Sequence, residues 1–455
     1  MSARHFPVIE KDKLVLTMLF MNFVIMVMNT SMFTVAIPEI ALDFNLSPAL
    51  AAWMVTSYSV FFALGTLLYG RLTAFITMPV LLSVGLSLLG MGSLLGFLAD
   101  NYLLLVLARV VQAAGTSVCA ALGVVMISRY FPPASKSKAL AMIAAASALG
   151  FGLGPLAGGL LSEYLGWRYL FAISLLGVAT IPIYVKWVPR AKTGTKSFDV
   201  IGFLLFSTSI LSVLIAVSTG ILSFLIGLVC LPVFLYYIQR VQEPFLAPAL
   251  LKDSFYQKAL FLVFAVFFIH FTILFVTPLL LSELYGLGVA AIGWLIFIGA
   301  LASTVVMRVL GRYVEQVGII RIAGISISCM ILASFFYAGF ADRSIYWISL
   351  FFFLSSVGFS TISMSMSNLM TRYLPADGFT AGYGALQLIQ FFGGALGVAL
   401  AGAILEVSSQ GAFHPLWLAE AGAYSNAYSV GFCLSLLACF IYLFFFRQAK
   451  QHVSD

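Results

Sequence analysis

Apolar stretches about as long as a lipid hydrocarbon layer is thick recur fourteen times along this chain. They lie near residues 14–38, 50–69, 78–98, 102–127, 139–162, 168–187, 200–219, 221–238, 257–281, 289–310, 319–341, 344–369, 379–405 and 426–446. In hydrocarbon every backbone N–H and C=O has to find its partner within the protein, and segments of this length achieve that as helices. The expected fold class is an all-α polytopic membrane protein with 14 transmembrane helices. With 62% of the 455 residues hydrophobic and 9% charged, too little polar surface remains to clad a water-soluble body. The first run, from Lys13 to Pro38, is too long for a signal-peptide core and is read as a retained span.

A net charge of +7 does not point to nucleic acid, because the basic residues are scattered singly through short connections. Topology explains them better. Of the 23 Lys and Arg residues, Arg109 falls within a span, Arg168 and Arg343 fall on the far side, and all the others fall on the side where the chain starts. Cytoplasmic loops carry such an excess, so both termini are expected in the cytoplasm of a cell whose inner membrane holds the protein. The two most basic connections, 186–199 and 239–258, bracket a helix pair without internal charge. They divide the chain into a six-helix bundle over 1–190, a linker pair over 191–256 and a second six-helix bundle over 257–455.

The two bundles read as repeats. The first helix of each ends in a proline, Pro38 and Pro278, and eight residues earlier stands a polar group at mid-depth, Thr30 beside Asn29 and then His270. The loop after each second helix reads Gly70-Arg71-Leu72-Thr73-Ala74 and Gly311-Arg312-Tyr313-Val314-Glu315. The fifth helix of each carries small residues at fourfold spacing, Gly150, Gly154 and Gly158, then Gly393, Gly397 and Ala401. Internal repeats with polar groups near the midplane are how secondary transporters are built. Glycines at this spacing let two helix backbones approach and slide, and Pro155 removes one helical hydrogen bond and permits a bend.

The full pattern, Gly150-x-x-x-Gly154-Pro155-x-x-Gly158-Gly159, resembles the fifth-helix motif of the drug/proton antiporters of the major facilitator superfamily. Trp53, Thr56 and Tyr58 on the second helix, Arg109, Gln112 and Gly115 on the fourth, and Trp167-Arg168 are similar to patterns of its fourteen-helix branch. The stretches AIPEIALDFN, LGTLLYGRL and GPLAGG resemble the Gram-positive tetracycline/proton antiporters. The resemblance implies a major facilitator fold and export of a small organic molecule. It also implies acidic residues at positions where this chain has Asn29, Ala74, Phe151 and Gly393, none of which titrates. A carboxylate in a membrane cavity couples transport to protons because desolvation lets proton and substrate compete for it. Its loss speaks against ordinary proton/drug antiport and against a simple cation as substrate. An anionic or zwitterionic metabolite such as a siderophore, or a neutral lipophilic compound, fits better.

Two ionisable side chains remain at membrane depth. Arg109, about 10 Å below the far end of its helix, is read as a substrate contact or proton relay, against a structural arginine bonded to helix carbonyls and Gln112. His270 is read evenly as a proton carrier or as a neutral interhelical partner. Asn22, Asn29, Thr30, Asn368, Gln387 and Gln390 line a polar pathway or bond between helices. The phenylalanine-rich stretches 261–275 and 351–359 are expected as packing before substrate contact. Arg312 and Glu315 resemble the charge latch of the inner gate, while Gly70-Arg71 lacks the acidic member. The five cysteines lie in apolar runs without ligand spacing, so neither metal nor other cofactor is expected. The expected partners are a small-molecule substrate, the lipid bilayer and, if transport is coupled, protons; the protein is expected to act as a monomer. An uncoupled facilitator and a non-transporting sensor or scaffold are the alternatives. No catalytic motif of an enzyme is present in the sequence.

Overall fold

The computed structural model describes residues 9, 11–190, 198–219, 221–241, 252–373, 379–408 and 421–446. Thirteen of its spans are long and apolar enough to cross a membrane, and a shorter apolar helix supplies the eighth in order. The first span is α1 (Asp12–Val35), and the short α2 (Ile37–Asp43) follows it outside the span; then come α3 (Pro48–Leu72), α4 (Met78–Phe97), α5 (Tyr102–Tyr130) and α6 (Pro133–Leu165). The sixth span is divided between α7 (Leu170–Val178) and α8 (Ile181–Trp187). A pair, α9 (Val200–Thr219) and α10 (Ile221–Tyr237), leads to α11 (Ser254–Tyr285), α12 (Val289–Val317), α13 (Ile319–Phe340), α14 (Ile345–Tyr373), α15 (Phe379–Val407) and α16 (Gly422–Ile441). The face at which α1 begins is called proximal below, and the opposite face distal.

Three sequence expectations change. The first span does not stop at Pro38: α1 breaks at Ala36 and the chain restarts as α2, with Pro38 in a first turn, where its missing N–H goes unneeded. Pro278 lies inside α11, which runs on to Tyr285. Gly70 and Arg71 form the last turn of α3, not a loop, and Gly311, Arg312 and Glu315 continue α12. Hydropathy marks only the apolar part of a span, and these helices extend past it. The side chains of Arg312 and Glu315 lie outside the described residues.

The glycine repeat has a physical counterpart in each half. A methyl group on Gly158 would stand 2.3 Å from the Met32 carbonyl oxygen, and one on Gly150 would stand 2.8 Å from that of Val24, so α6 lies backbone to backbone on α1. On α15, Gly393 and Gly397 meet the carbonyl oxygens of Phe264 and Phe268 on α11 at 2.6 and 2.4 Å in the same sense. The halves meet along two seams. In one, Thr56 of α3 donates to the Ala395 carbonyl of α15 at 3.3 Å. In the other, Gly159 of α6 lies against Val289 and Gly293 of α12. The α9–α10 pair packs beside the first seam, Ile210, Leu214 and Phe234 clustering with Val60 and Leu64 of α3 and Leu388 of α15. Asp199 ties that pair together, accepting from the Gly202 N–H at 2.8 Å and the Tyr237 hydroxyl at 2.9 Å.

Candidate functional site

Arg109 is wholly buried, and its partners come from three helices. Nε donates to the Met54 carbonyl at 3.3 Å, Nη1 to the Gln112 Oε1 at 3.0 Å and to the Asn29 side-chain oxygen, and Nη2 to the Asn29 carbonyl at 3.2 Å. Phe33 and Tyr58 pack against the guanidinium, their ring centres 4.1 and 4.0 Å from Cζ. Gln112 in turn donates to Ser93 at 2.9 Å and Asn29 to Ser174 at 2.7 Å. Among the described residues no carboxylate lies within ion-pairing distance of it; an ion pair elsewhere joins Asp342 and Arg343. A planar fork held by neutral acceptors and ring faces keeps its charge without a counter-ion, which costs less than isolation because nearly every donor is satisfied. Asn29 thus serves as an amide partner where the antiporters it resembles have an acid. Thr30, one residue on, bonds back to the Met26 carbonyl at 3.4 Å.

His270 is 3% exposed and belongs to a different surrounding. Its Nδ1 lies 2.8 Å from the Ser355 hydroxyl, and its ring stacks on Phe359 at 4.2 Å and 17°. Phe359 is the centre of an aromatic group to which both halves contribute. From the N-terminal half, Phe151 meets Phe359 at 4.9 Å and Phe62 meets Phe391 at 4.4 Å. Phe267 touches Phe359 at 4.6 Å and Phe391 at 6.2 Å. Each of these residues stands near the middle of its helix. Phe151 and Phe391 keep part of their surface open, whereas Phe267 and Phe359 are buried. Tyr58, stacked on Phe62 at 6.0 Å, joins the aromatic group to Arg109.

The structure therefore brings Arg109, Asn29 and Gln112 into one network and places His270 in another, with rings between. Gln390 is buried and Gln387 half-buried on α15, Asn368 half-buried on α14, and none is drawn into the Arg109 network. Asn22 pins the break between α7 and α8, donating to the Thr180 and Tyr184 hydroxyls at 2.9 and 3.0 Å. The switch motif divides its labour: Gly150, Gly154 and Gly158 face α1, while the Pro155 carbonyl and Gly159 meet Gly293 across the halves. No group of three or more His, Cys, Asp or Glu side chains that could hold a metal occurs among the described residues. Phe62 and Phe391 were invisible as partners in the sequence, since residues so far apart meet only through the fold. The packing role expected for 261–275 and 351–359 is met, but part of that packing spans the two halves.

Residues 19–398 and 259–454 match the Major Facilitator Superfamily profile. The chain is 25% identical to the riboflavin transporter RibZ of Clostridioides difficile over 438 residues, covering 93% of this chain and 95% of that protein. It is 25% identical to the multidrug resistance protein Stp of Mycobacterium tuberculosis over 82% of this chain and 72% of that one. Among solved structures, it matches the peptide transporter POT in complex with alafosfalin with a TM-score of 0.66, 13% identity and 94% of each chain covered. A bacterial homolog of the lysosomal transporter Spinster, inward-facing and unoccupied, matches with a TM-score of 0.62 and 16% identity over 94% of this chain and 96% of that one. With thirteen membrane-length apolar helices among the described residues and a profile match across nearly its whole length, the chain belongs to the major facilitator superfamily and is a membrane transporter, not an enzyme.

Proposed function

We propose that this protein exports planar aromatic small molecules, uncharged or anionic, by alternating access of the bundles 1–190 and 257–455, with 191–256 as a linker pair beside one seam. The observation that carries the reading is the mid-depth aromatic group made jointly by Phe62, Phe151, Phe267, Phe359 and Phe391. Rings from both halves that separate when the halves rock offer faces to a flat ligand, and aromatic contacts contribute about 0.5–1.5 kcal/mol each beyond burial. His270 supplies a polar edge beside those faces, and the Asn29–Arg109–Gln112 network a positive field on the distal side. Flavins are the first class to test, because one relative is named a riboflavin transporter; the relative named for multidrug resistance supports outward transport. The protein sits in the cytoplasmic membrane as a monomer with both termini in the cytoplasm, so that its proximal face is the inner one.

Uncoupled facilitation is the second reading, favoured by an Arg109 whose described partners are all neutral. Riboflavin titrated into purified protein tests the site. Quenching of its fluorescence on binding is expected, weakened at least tenfold by Phe359→Ala or Phe391→Ala and unaffected by Cys433→Ser. Binding that ignores both ring deletions would refute the placement of the site.

A further inference from the structure

The distal face has a charge pattern that the transport reading leaves unused. Glu39, Asp43, Asp100, Glu163, Glu283, Asp342 and Glu406 all stand at that end of the bundle, against Arg168 and Arg343. Two of these carboxylates bridge the halves. Glu163, near the end of α6, accepts the Ala290 N–H at 3.2 Å, one of the unpaired donors in the first turn of α12. The approach is close, since a side chain on Gly288 would stand 2.9 Å from the same carboxylate. That glycine follows a tight turn at Gly286, whose φ of 62° puts the backbone in the left-handed region that suits glycine. Glu406 accepts from the Ser47 hydroxyl at 2.9 Å. A carboxylate at a helix N-terminus is favoured by the exposed N–H groups and the helix dipole, so the negative charge of Glu163 holds the distal closure.

Glu39, in the first turn of α2, stands next to this contact. One of its carboxylate oxygens is buried without a hydrogen-bond partner. The charges that bear on it are Asp43, on its own helix, and Glu163, from α6, and the backbone N–H of Trp167 faces it. Asp43 is occupied by the Trp167 ring N–H at 2.7 Å. Arg168, next to Trp167 in sequence, lies over the Trp167 ring and donates to the Ala99 carbonyl at 3.2 Å. From α11, which packs on α2, Glu283 accepts from the Tyr424 hydroxyl and the Tyr285 hydroxyl donates to the Ala341 carbonyl. The first turn of α12 and that of α3 bring no titratable side chain.

We propose that Glu39 is a proton-binding site at the distal mouth, and that a proton taken there from the distal water tightens the closure of the two halves through Glu163. Burial, the neighbouring Asp43 and the like charge of Glu163 raise the Glu39 carboxyl above its ordinary value. Linkage fixes the sign: in the closed arrangement Glu39 binds its proton more tightly than when opening exposes it to water. Closure is therefore favoured as pH falls through the window from that raised value toward the ordinary one near 4.5, and weakened above it. The proton removes one of three crowded negative charges and leaves that of Glu163 on the helix N-terminus. The inference does not depend on what the protein carries.

Hydrogen exchange of the full-length protein in lipid nanodiscs tests it, read as protection of the peptide spanning 286–292 after correction for intrinsic exchange at each pH. Wild type is expected to gain several-fold protection between pH 8 and pH 4.5. Glu39→Gln should be well protected and flat across that range, because the amide keeps the shape of the side chain and carries no charge. Glu163→Gln should be less protected throughout. Flat protection in wild type, which needs no variant to interpret, overturns the proposal, as does a wild-type slope that survives in Glu39→Gln.

Discussion

Substituting alanine at Gly154, Gly158 and Gly159 in turn should give three different outcomes, although the three glycines belong to one sequence motif. At Gly158 the new methyl group meets the Met32 backbone, its carbonyl oxygen at 2.3 Å and its Cα at 2.9 Å, so α1 and α6 have to move apart. Overpacking of that kind costs about 1–3 kcal/mol. At Gly154 the obstacle is the Ser31 hydroxyl at 1.9 Å, the free end of a short side chain, with the nearest backbone oxygen at 3.3 Å. Ser31 gives up only long bonds to the carbonyls of Val27 and Met28, at 3.4 and 3.5 Å, when it rotates away. The gain in helix propensity, about 0.8–1.0 kcal/mol for Gly to Ala, offsets that loss. At Gly159 the methyl meets Val289 O at 2.7 Å and Gly293 Cα at 3.0 Å, both in the other half. The cost therefore falls on the distal-closed arrangement alone, and about 1–3 kcal/mol there shifts the opening equilibrium roughly 5- to 150-fold. Apparent melting temperature in detergent reports on the first two variants, and protection of 286–292 against exchange on the third. Expected are a clear loss of stability for Gly158→Ala, near-neutral behaviour for Gly154→Ala, and normal stability with a distally open gate for Gly159→Ala. Equal destabilisation by all three would refute this division of the motif.

Arg109→Gln should lower stability by about 1–3 kcal/mol, since it leaves the buried side-chain oxygens of Asn29 and Gln112 without the donor that the guanidinium supplies. Arg109→Lys keeps the charge but loses the fork and the fit between Phe33 and Tyr58, so it should recover less than half of that loss in the same melting assay. Asn29→Asp places a carboxylate against Nη1 and should give substrate flux a pH dependence that persists when Glu39 is also replaced by Gln, measured in vesicles clamped at several pH values. Asp199→Ala removes both the start of α9 and its tie to Tyr237. It should cost about 1 kcal/mol and raise exchange in α9 and α10 without slowing transport.

The spans, their repeat and the helix-packing glycines were legible because each is a local signal: a hydrocarbon-length run, a fourfold spacing, a proline. The breaks at Ala36 and at Thr180 were not, because they depend on what each helix packs against, as the bond from Asn22 to Thr180 shows. Arg109 was recognisable as a buried charge needing partners, and Gln112 as one of them; Asn29 and Met54 come from helices whose facing only the fold decides. Periodicity says which side of a helix is apolar but not which ring meets which. Phe62 and Phe391 are adjacent only because α3 and α15 share a seam between the halves. The Glu163 contact to the first turn of α12 escaped notice for a related reason, since its acceptor is a side chain and its donor is backbone.

Counterflow of riboflavin in proteoliposomes, with and without collapse of the pH gradient, tests the central claim most directly. Saturable exchange that survives loss of the gradient and falls at least tenfold in Phe359→Ala is the result predicted for an aromatic site without a membrane carboxylate. Flux abolished by collapsing the gradient, or flux indifferent to the Phe359 ring, would contradict it.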